Sequence, residues 1–233
     1  MKILVQFLFV VVGFCLAPAL AQSDKSEGEG LRGRYYMVVW AFQGPGNAPR
    51  DSHTFAAFYN GDDLADGRLA PATTSWFPAR GVVRPFGVER GHNFSLEQTL
   101  AMACRTGKQV ASWGPYEITF GLYRWALARI SLLKSGKVSY SLMSLRRGTM
   151  NCIEAAGDIT DAPFRPGLSW GFAASEAVVR HLSPFFKNEK RISGSVASLL
   201  ISSKCGEQTV YNRARAPSRT FMSHHDARLA FGR

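Results

Sequence analysis

The segment Tyr35 to Phe42, YYMVVWAF, constrains what this chain can fold into more than any other. It carries no charge and is made largely of aromatic and β-branched residues, so it reads as a short strand buried inside a sheet. A loop, Gln43 to Asp51, with GPGNAP inside it, leads into a second such run, Ser52 to Tyr59 (SHTFAAFY). One residue that titrates near neutral pH stands in that run. His53 places a polar ring in a buried strand, where it must find a partner.

The remaining punctuation extends this start into a mixed fold. Asn60 to Gly67, NGDDLADG, is dense in turn residues, and Arg68 to Phe77 follows as a third strand, antiparallel to the second. Ser95-x-x-Gln98 is a capping-box pattern that opens a helix through about Arg105, with Gly107 as its stop. Lys108 to Trp113 reads as a short strand ended by Gly114-Pro115. Ile118 to Leu133 is a helix, with Leu122, Ala126, Ile130 and Leu133 on one face. Lys137 to Leu142 alternates like a strand, and Thr149 to Asp158 turns from loop into a short helix beginning at or near Cys152. Ala173 to Leu182 is a further helix, and Ser195 to Ser202 an apolar run of undecided type. The expected fold class is α+β, an antiparallel sheet packed with helices, in one main domain over 35–205 without internal repeats. From Gly206 to Arg233 the chain is a basic polar tail, expected to pack poorly.

The first residues belong to a different category. Lys2 precedes an apolar run from Ile3 to Leu16, and Ala19-Leu20-Ala21 supplies the small-x-small pattern of a signal-peptidase site. Residues 1–21 are expected to be a signal peptide and 22–34 a flexible leader, which makes the protein exported, periplasmic or secreted. No other segment is long and apolar enough to be membrane-spanning. Within the leader, GEGLRG matches G-x-G-x-x-G formally, but it precedes a strand instead of following one, so it is no dinucleotide site. A composition of 46% hydrophobic and 19% charged residues excludes a disordered chain, and the 22 glycines show no collagen period.

Export changes how the cysteines read. Of four, Cys15 lies in the signal peptide, leaving Cys104, Cys152 and Cys205. Three thiols cannot all pair within one chain, and none sits in a CxxC spacing that would suggest structural zinc. If Cys104 and Cys205 pair, Cys152 is the odd thiol. It follows Asn151 in MNCIEAAGD, at a loop-to-helix junction. A helix start and a nearby imidazole both favour a thiolate, so Cys152 with His53 is the candidate nucleophile and base. The blander alternative makes Cys152 a packed thiol and His53 a core histidine bonded to backbone.

A histidine in an early strand, followed much later by an Asn-Cys pair opening a helix, resembles the circularly permuted papain-like cysteine hydrolases. These include NlpC-type and lecithin–retinol acyltransferase-like enzymes. In ordinary papain-like enzymes the cysteine comes first; here Ser52-His53-Thr54-Phe55 matches the histidine strand and Asn151-Cys152 the nucleophile turn. The acyltransferase motif carries histidine two residues after the cysteine, where this chain has Glu154. The stretches SHTFAAF, WGPYEI and NCIEAAGDI are similar to segments of bacterial exported proteins. The resemblance implies a permuted papain-like fold and a hydrolase of the peptidase or amidase type, acting on a peptide, peptidoglycan or acyl-type substrate without a cofactor.

A third residue should orient the imidazole. If the hairpin turn centres between Leu64 and Ala65, His53 faces Trp76, and a one-residue bulge brings Ser75 to the same face. Glu117 and His92 are rivals, and an ordinary strand hydroxyl is the blander reading of Ser75. A second enzyme reading starts from Gly167-Leu168-Ser169-Trp170-Gly171, a formal G-x-S-x-G, but Pro163 and Pro166 upstream oppose the strand it needs. The histidines include no HExxH spacing, so no metal is expected. The non-enzyme alternative rests on charge. There are 28 Lys+Arg against 17 Asp+Glu, a formal net charge of +11; removing Lys2 with the signal peptide leaves +10. Such a chain is attracted to an anionic envelope surface, whereas export and the lack of a motif argue against nucleic acid.

Overall fold

A computed structural model of the chain describes residues 30–144, 146–187, 200 and 211–212. The expected signal peptide, most of the leader, Cys15, Cys205 and nearly all of the basic tail lie outside them. The described chain is α+β. Strands β1 (Tyr35–Gln43) and β2 (Ser52–Asn60) pair antiparallel along their whole length, from Tyr35 opposite Asn60 to Gln43 opposite Ser52. On the other edge of β1 lies β6 (Gln109–Ile118), also antiparallel. The short β3 (Ala72–Thr74) flanks β2, and β9 (Tyr211–Asn212) joins β6 in parallel, giving the order β3-β2-β1-β6-β9. Tyr211 and Asn212 thus belong to the sheet, although the sequence reading ended the domain at 205.

β1 is central, which explains why its sequence is apolar without alternation. Met37, Val39 and Ala41 face one side, where Leu122, Ala126 and Ile130 of helix α3 (Phe120–Lys134) and Ala174, Val178 and Leu182 of helix α5 (Gly171–Leu182) complete the core. Tyr36, Val38, Trp40 and Phe42 face the other, packed with Leu100 and Ala103 of helix α2 (Leu96–Arg105). Each of the larger aliphatic and aromatic side chains among them, taken from water, contributes roughly 1.5–3 kcal/mol.

A second sheet has the order β4-β5-β7-β8, built from β4 (Trp76–Pro78), β5 (Glu89–Asn93), β7 (Ser139–Tyr140) and β8 (Thr149–Met150). Trp76, Phe77, Val83, Leu133, Tyr140 and Ala155 form its core. The third predicted strand, Arg68 to Phe77, is therefore two strands in two sheets, β3 and β4, with Ser75 between them. The turn-rich Asn60–Gly67 contains a one-turn helix, α1 (Gly61–Ala65), capped by the Asn60 side chain. Nor does β6 end at Gly114-Pro115. It continues to Ile118 because a register shift opposite Met37 and Val39 takes up the irregularity.

Candidate functional site

Helix α4 (Cys152–Gly157) begins at Cys152 for a local reason. The Asn151 side chain accepts from the N–H groups of Ile153 and Glu154, each at 2.9 Å, while Glu154 accepts the Asn151 N–H at 3.1 Å. This capping box is anchored further. Asn151 Nδ2 donates to Leu142 O and Ser144 Oγ, and the Ser144 hydroxyl makes a short bond to the same Glu154 carboxylate. Asn151 leaves the Cys152 N–H uncapped.

The thiol itself is free and 5% exposed. Burial pushes its pKa up to about 11, against the opposing pull of the backbone N–H groups of Thr54, Cys152 and Ile153. The Thr54 N–H belongs to the peptide that joins His53 to Thr54. The fold therefore brings Cys152 against the residue that follows His53. Cys104, by contrast, is disulfide-bonded; Cys205, its expected partner, lies outside the described residues.

His53 is 1% exposed, and burial lowers its pKa to about 3. Its ring leaves β2 on the side of Phe55, which stacks on it, with Phe77 edge-on at 4.9 Å between centroids. Thr54 points the opposite way, bonding Gly171 O and Ser175 Oγ of α5. His53 Nε2 lies 2.9 Å from Ser75 Oγ, and Ser75 Oγ lies 2.7 Å from Thr99 Oγ1. Nδ1 is buried without a hydrogen-bond partner, and no hydrogen bond joins His53 to Cys152. Tyr140 borders both halves: burial above all, with the nearby Cys152 sulfur adding to it, raises its phenol pKa, and Phe77 lies 6.0 Å away between centroids.

Ser75 reaches His53 because the chain breaks after Thr74. Asn93 Oδ1 accepts the Ser75 N–H at 2.8 Å and Asn93 Nδ2 donates to Thr73 O, so the kink is pinned from β5. The hairpin register places Phe58 opposite Ala72 and Ala56 opposite Thr74. Continued to His53, it points at Phe77 and not at the Trp76 expected from a turn centred between Leu64 and Ala65. The rivals of Ser75 are elsewhere. Glu117 pairs with Arg34 at 3.5 Å, and His92 is exposed, its ring against Phe94.

Ser169 lacks the strand of a nucleophile elbow; its hydroxyl donates to Pro166 O at 2.7 Å. Among the described residues, no group of three or more His, Cys, Asp or Glu side chains gathers as metal ligands would. Nor is any described helix long and apolar enough to cross a membrane. A cavity of about 420 Å³ on the outer face of α2 is lined by Phe94, Glu97, Gln98, Ala101, Met102 and Arg105, and includes neither His53 nor Cys152.

Sequence reasoning missed Thr99, Asn93 and Tyr140. Thr99 had one local signal: it stands four residues after the cap Ser95, on the inward face of a helix whose other inward residues are apolar. Asn93 and Tyr140 had none. No family model, curated protein or solved structure matches this chain.

Proposed function

We propose that this chain is an exported cysteine hydrolase of permuted papain-like type, with Cys152 as nucleophile and His53 as general base. One observation carries the reading. A free thiol on an anchored helix start abuts the peptide following a buried histidine whose Nε2 is engaged and whose Nδ1 is not. With the thiol pKa pushed up to about 11 and the imidazole lowered to about 3, the resting pair is neutral at pH 7. A thiol near 11 does not give its proton to an imidazole near 3 unaided, so the general-base step needs bound substrate, with the proton drawn across as the carbon–sulfur bond forms. The Cys152 sulfur bonds to the carbonyl carbon of an amide or ester as its proton passes to Nδ1. The Cys152 N–H, left uncapped, donates to the developing oxyanion. The leaving amine or alcohol departs with the proton held on His53. Water, deprotonated by the same nitrogen, then hydrolyses the thioester.

The test is turnover of a panel of peptide, peptidoglycan-fragment and acyl-ester substrates by wild type, Cys152→Ala and His53→Ala. The expected result is complete loss in Cys152→Ala, and a loss of at least about 10²-fold in His53→Ala. Turnover that survives Cys152→Ala intact would sink the reading.

A second reading has its own observation. Between β4 and β5, Phe86 is 91% and Val82 63% exposed, beside Arg80, Arg84 and Arg90, which have no ion pair among the described residues. A basic loop tipped with apolar side chains suits a non-catalytic role on an anionic envelope surface. Retention on anionic vesicles that falls with salt, and falls further in Arg84→Glu, supports it; salt-independent retention removes its basis.

A further inference from the structure

The hydroxyl chain beside His53 has a direction. Thr99 Oγ1 donates to Ser95 O, one turn back in α2, at 2.7 Å. A hydroxyl has a single hydrogen, so towards Ser75, 2.7 Å away, Thr99 Oγ1 can only accept. The Ser75 hydrogen is therefore committed to Thr99. Towards His53 Nε2, at 2.9 Å, Ser75 Oγ has only lone pairs to offer, and Nε2 must be the donor. Each link depends on the one before it, and the last fixes a proton on the imidazole.

We propose that Thr99, acting through Ser75, is a positioning residue that holds neutral His53 in its Nε2–H tautomer and so keeps Nδ1 as a lone-pair base. Burial of the other nitrogen agrees. Nδ1 has no hydrogen-bond partner; as N–H it would be an unsatisfied buried donor, whereas a lone pair without a donor costs less. Ser75, Thr99 and His53 are all fully or almost fully buried, so water does not compete for these bonds. The chain starts from a helix carbonyl, because Ser95 is the cap of α2 and its carbonyl also takes the Thr99 N–H at 3.0 Å. A capping box read from local sequence is thereby connected to the base of the candidate site. The inference rests on the hydrolase reading only for its use; the tautomer itself is a property of the fold.

The experiment is nitrogen-15 NMR of the histidine rings in the wild-type protein at neutral pH, with Thr99→Val and Thr99→Ser beside it. The expected result is a single Nε2–H form for His53 in wild type and in Thr99→Ser. Thr99→Val keeps the shape but removes the acceptor, which frees the Ser75 hydrogen to turn towards Nε2, so a population of Nδ1–H should appear. An Nδ1–H form in wild type overturns the proposal, and so does a Thr99→Val ring that shows no Nδ1–H. If Thr99→Val does not fold, Thr99→Ala makes the same deletion, and the wild-type tautomer decides the direction of the chain regardless. Alkylation of Cys152 at pH 7, followed by mass spectrometry, keeps the two failures apart. Slowing of about five- to tenfold in Thr99→Val links the relay to the thiol. A tautomer shift with alkylation equally fast in wild type and His53→Ala leaves the relay standing and removes the hydrolase reading.

Discussion

The two halves of the candidate site are held by networks of different kinds. His53 is gripped by its own ring, at the head of two uncharged hydroxyls that end on a helix carbonyl. Cys152 is held only through its neighbours: the amide of Asn151 and the carboxylate of Glu154 bond the N–H groups on either side of it, and the donors that reach its sulfur are main-chain N–H groups. The first network fixes a proton. The second fixes a helix start and leaves the thiol's acidity to burial. Losing a member of one should alter chemistry, and losing a member of the other should loosen the fold.

Acid separates the halves by the largest margin. The unfolded chain protonates His53 near its ordinary value of 6.5, while the folded protein resists until about 3. Stability is thus lost as pH falls through that window, at about 1.4 kcal/mol per unit and on the order of 5 kcal/mol in all. Urea unfolding of wild type and His53→Gln between about pH 7 and pH 4 should give a steeper fall for wild type. Parallel curves would show that His53 is not the buried neutral ring described.

Alkali tests the other half. The Cys152 thiol is raised from 9.0 to about 11, so the unfolded chain releases its proton first and stability declines across that interval. The loss is roughly 2–3 kcal/mol and should be missing from Cys152→Ala, as unfolding free energies from about pH 8 to pH 10.5 would show. Next in size is Asn151→Ala, which strips two capping bonds and the ties to Leu142 and Ser144. It should cost about 2 kcal/mol in urea unfolding, against about 1 kcal/mol for Ser75→Ala. If Ser75→Ala costs more than Asn151→Ala, the division into a chemical and a structural network is wrong. The smallest effect expected is that of Glu154→Gln. Its amide oxygen still reaches the Asn151 N–H, so the cost stays below about 1 kcal/mol on the same measurement.

The elements legible in the sequence are those whose signal is local. β1 and β2 announce themselves as apolar runs, α2 by Ser95 and Gln98, and α4 by Asn151, whose side chain caps N–H groups two and three residues on. β5, ERGHN, carries no such signal. It is half-exposed and polar, and is a strand only because β4 and β7 pair with it. The run from Arg68 to Phe77 looks like one strand, yet Asn93, eighteen residues beyond Ser75, pulls it into two. Ser75 was identified from hairpin arithmetic and does bond His53. The arithmetic itself was one residue off, because α1 occupies the assumed turn and the kink after Thr74, not a bulge, turns the hydroxyl inward.

By itself the sequence determined which residue types were available and where the chain could start a helix or bury a strand. A cap or an apolar run is decided by residues within a turn of one another, and chain connectivity already brings those together. Tertiary structure alone decided that Cys152 meets the peptide after His53, that Ser75 takes the Nε2 side of the ring, and that Thr99 stands behind it. Those contacts join residues 22 or more positions apart, His53 to Ser75 and Ser75 to Thr99 among them. They form only once two sheets and a helix have packed, because the register of β2, the break at Ser75 and the inward face of α2 must coincide within hydrogen-bond distance.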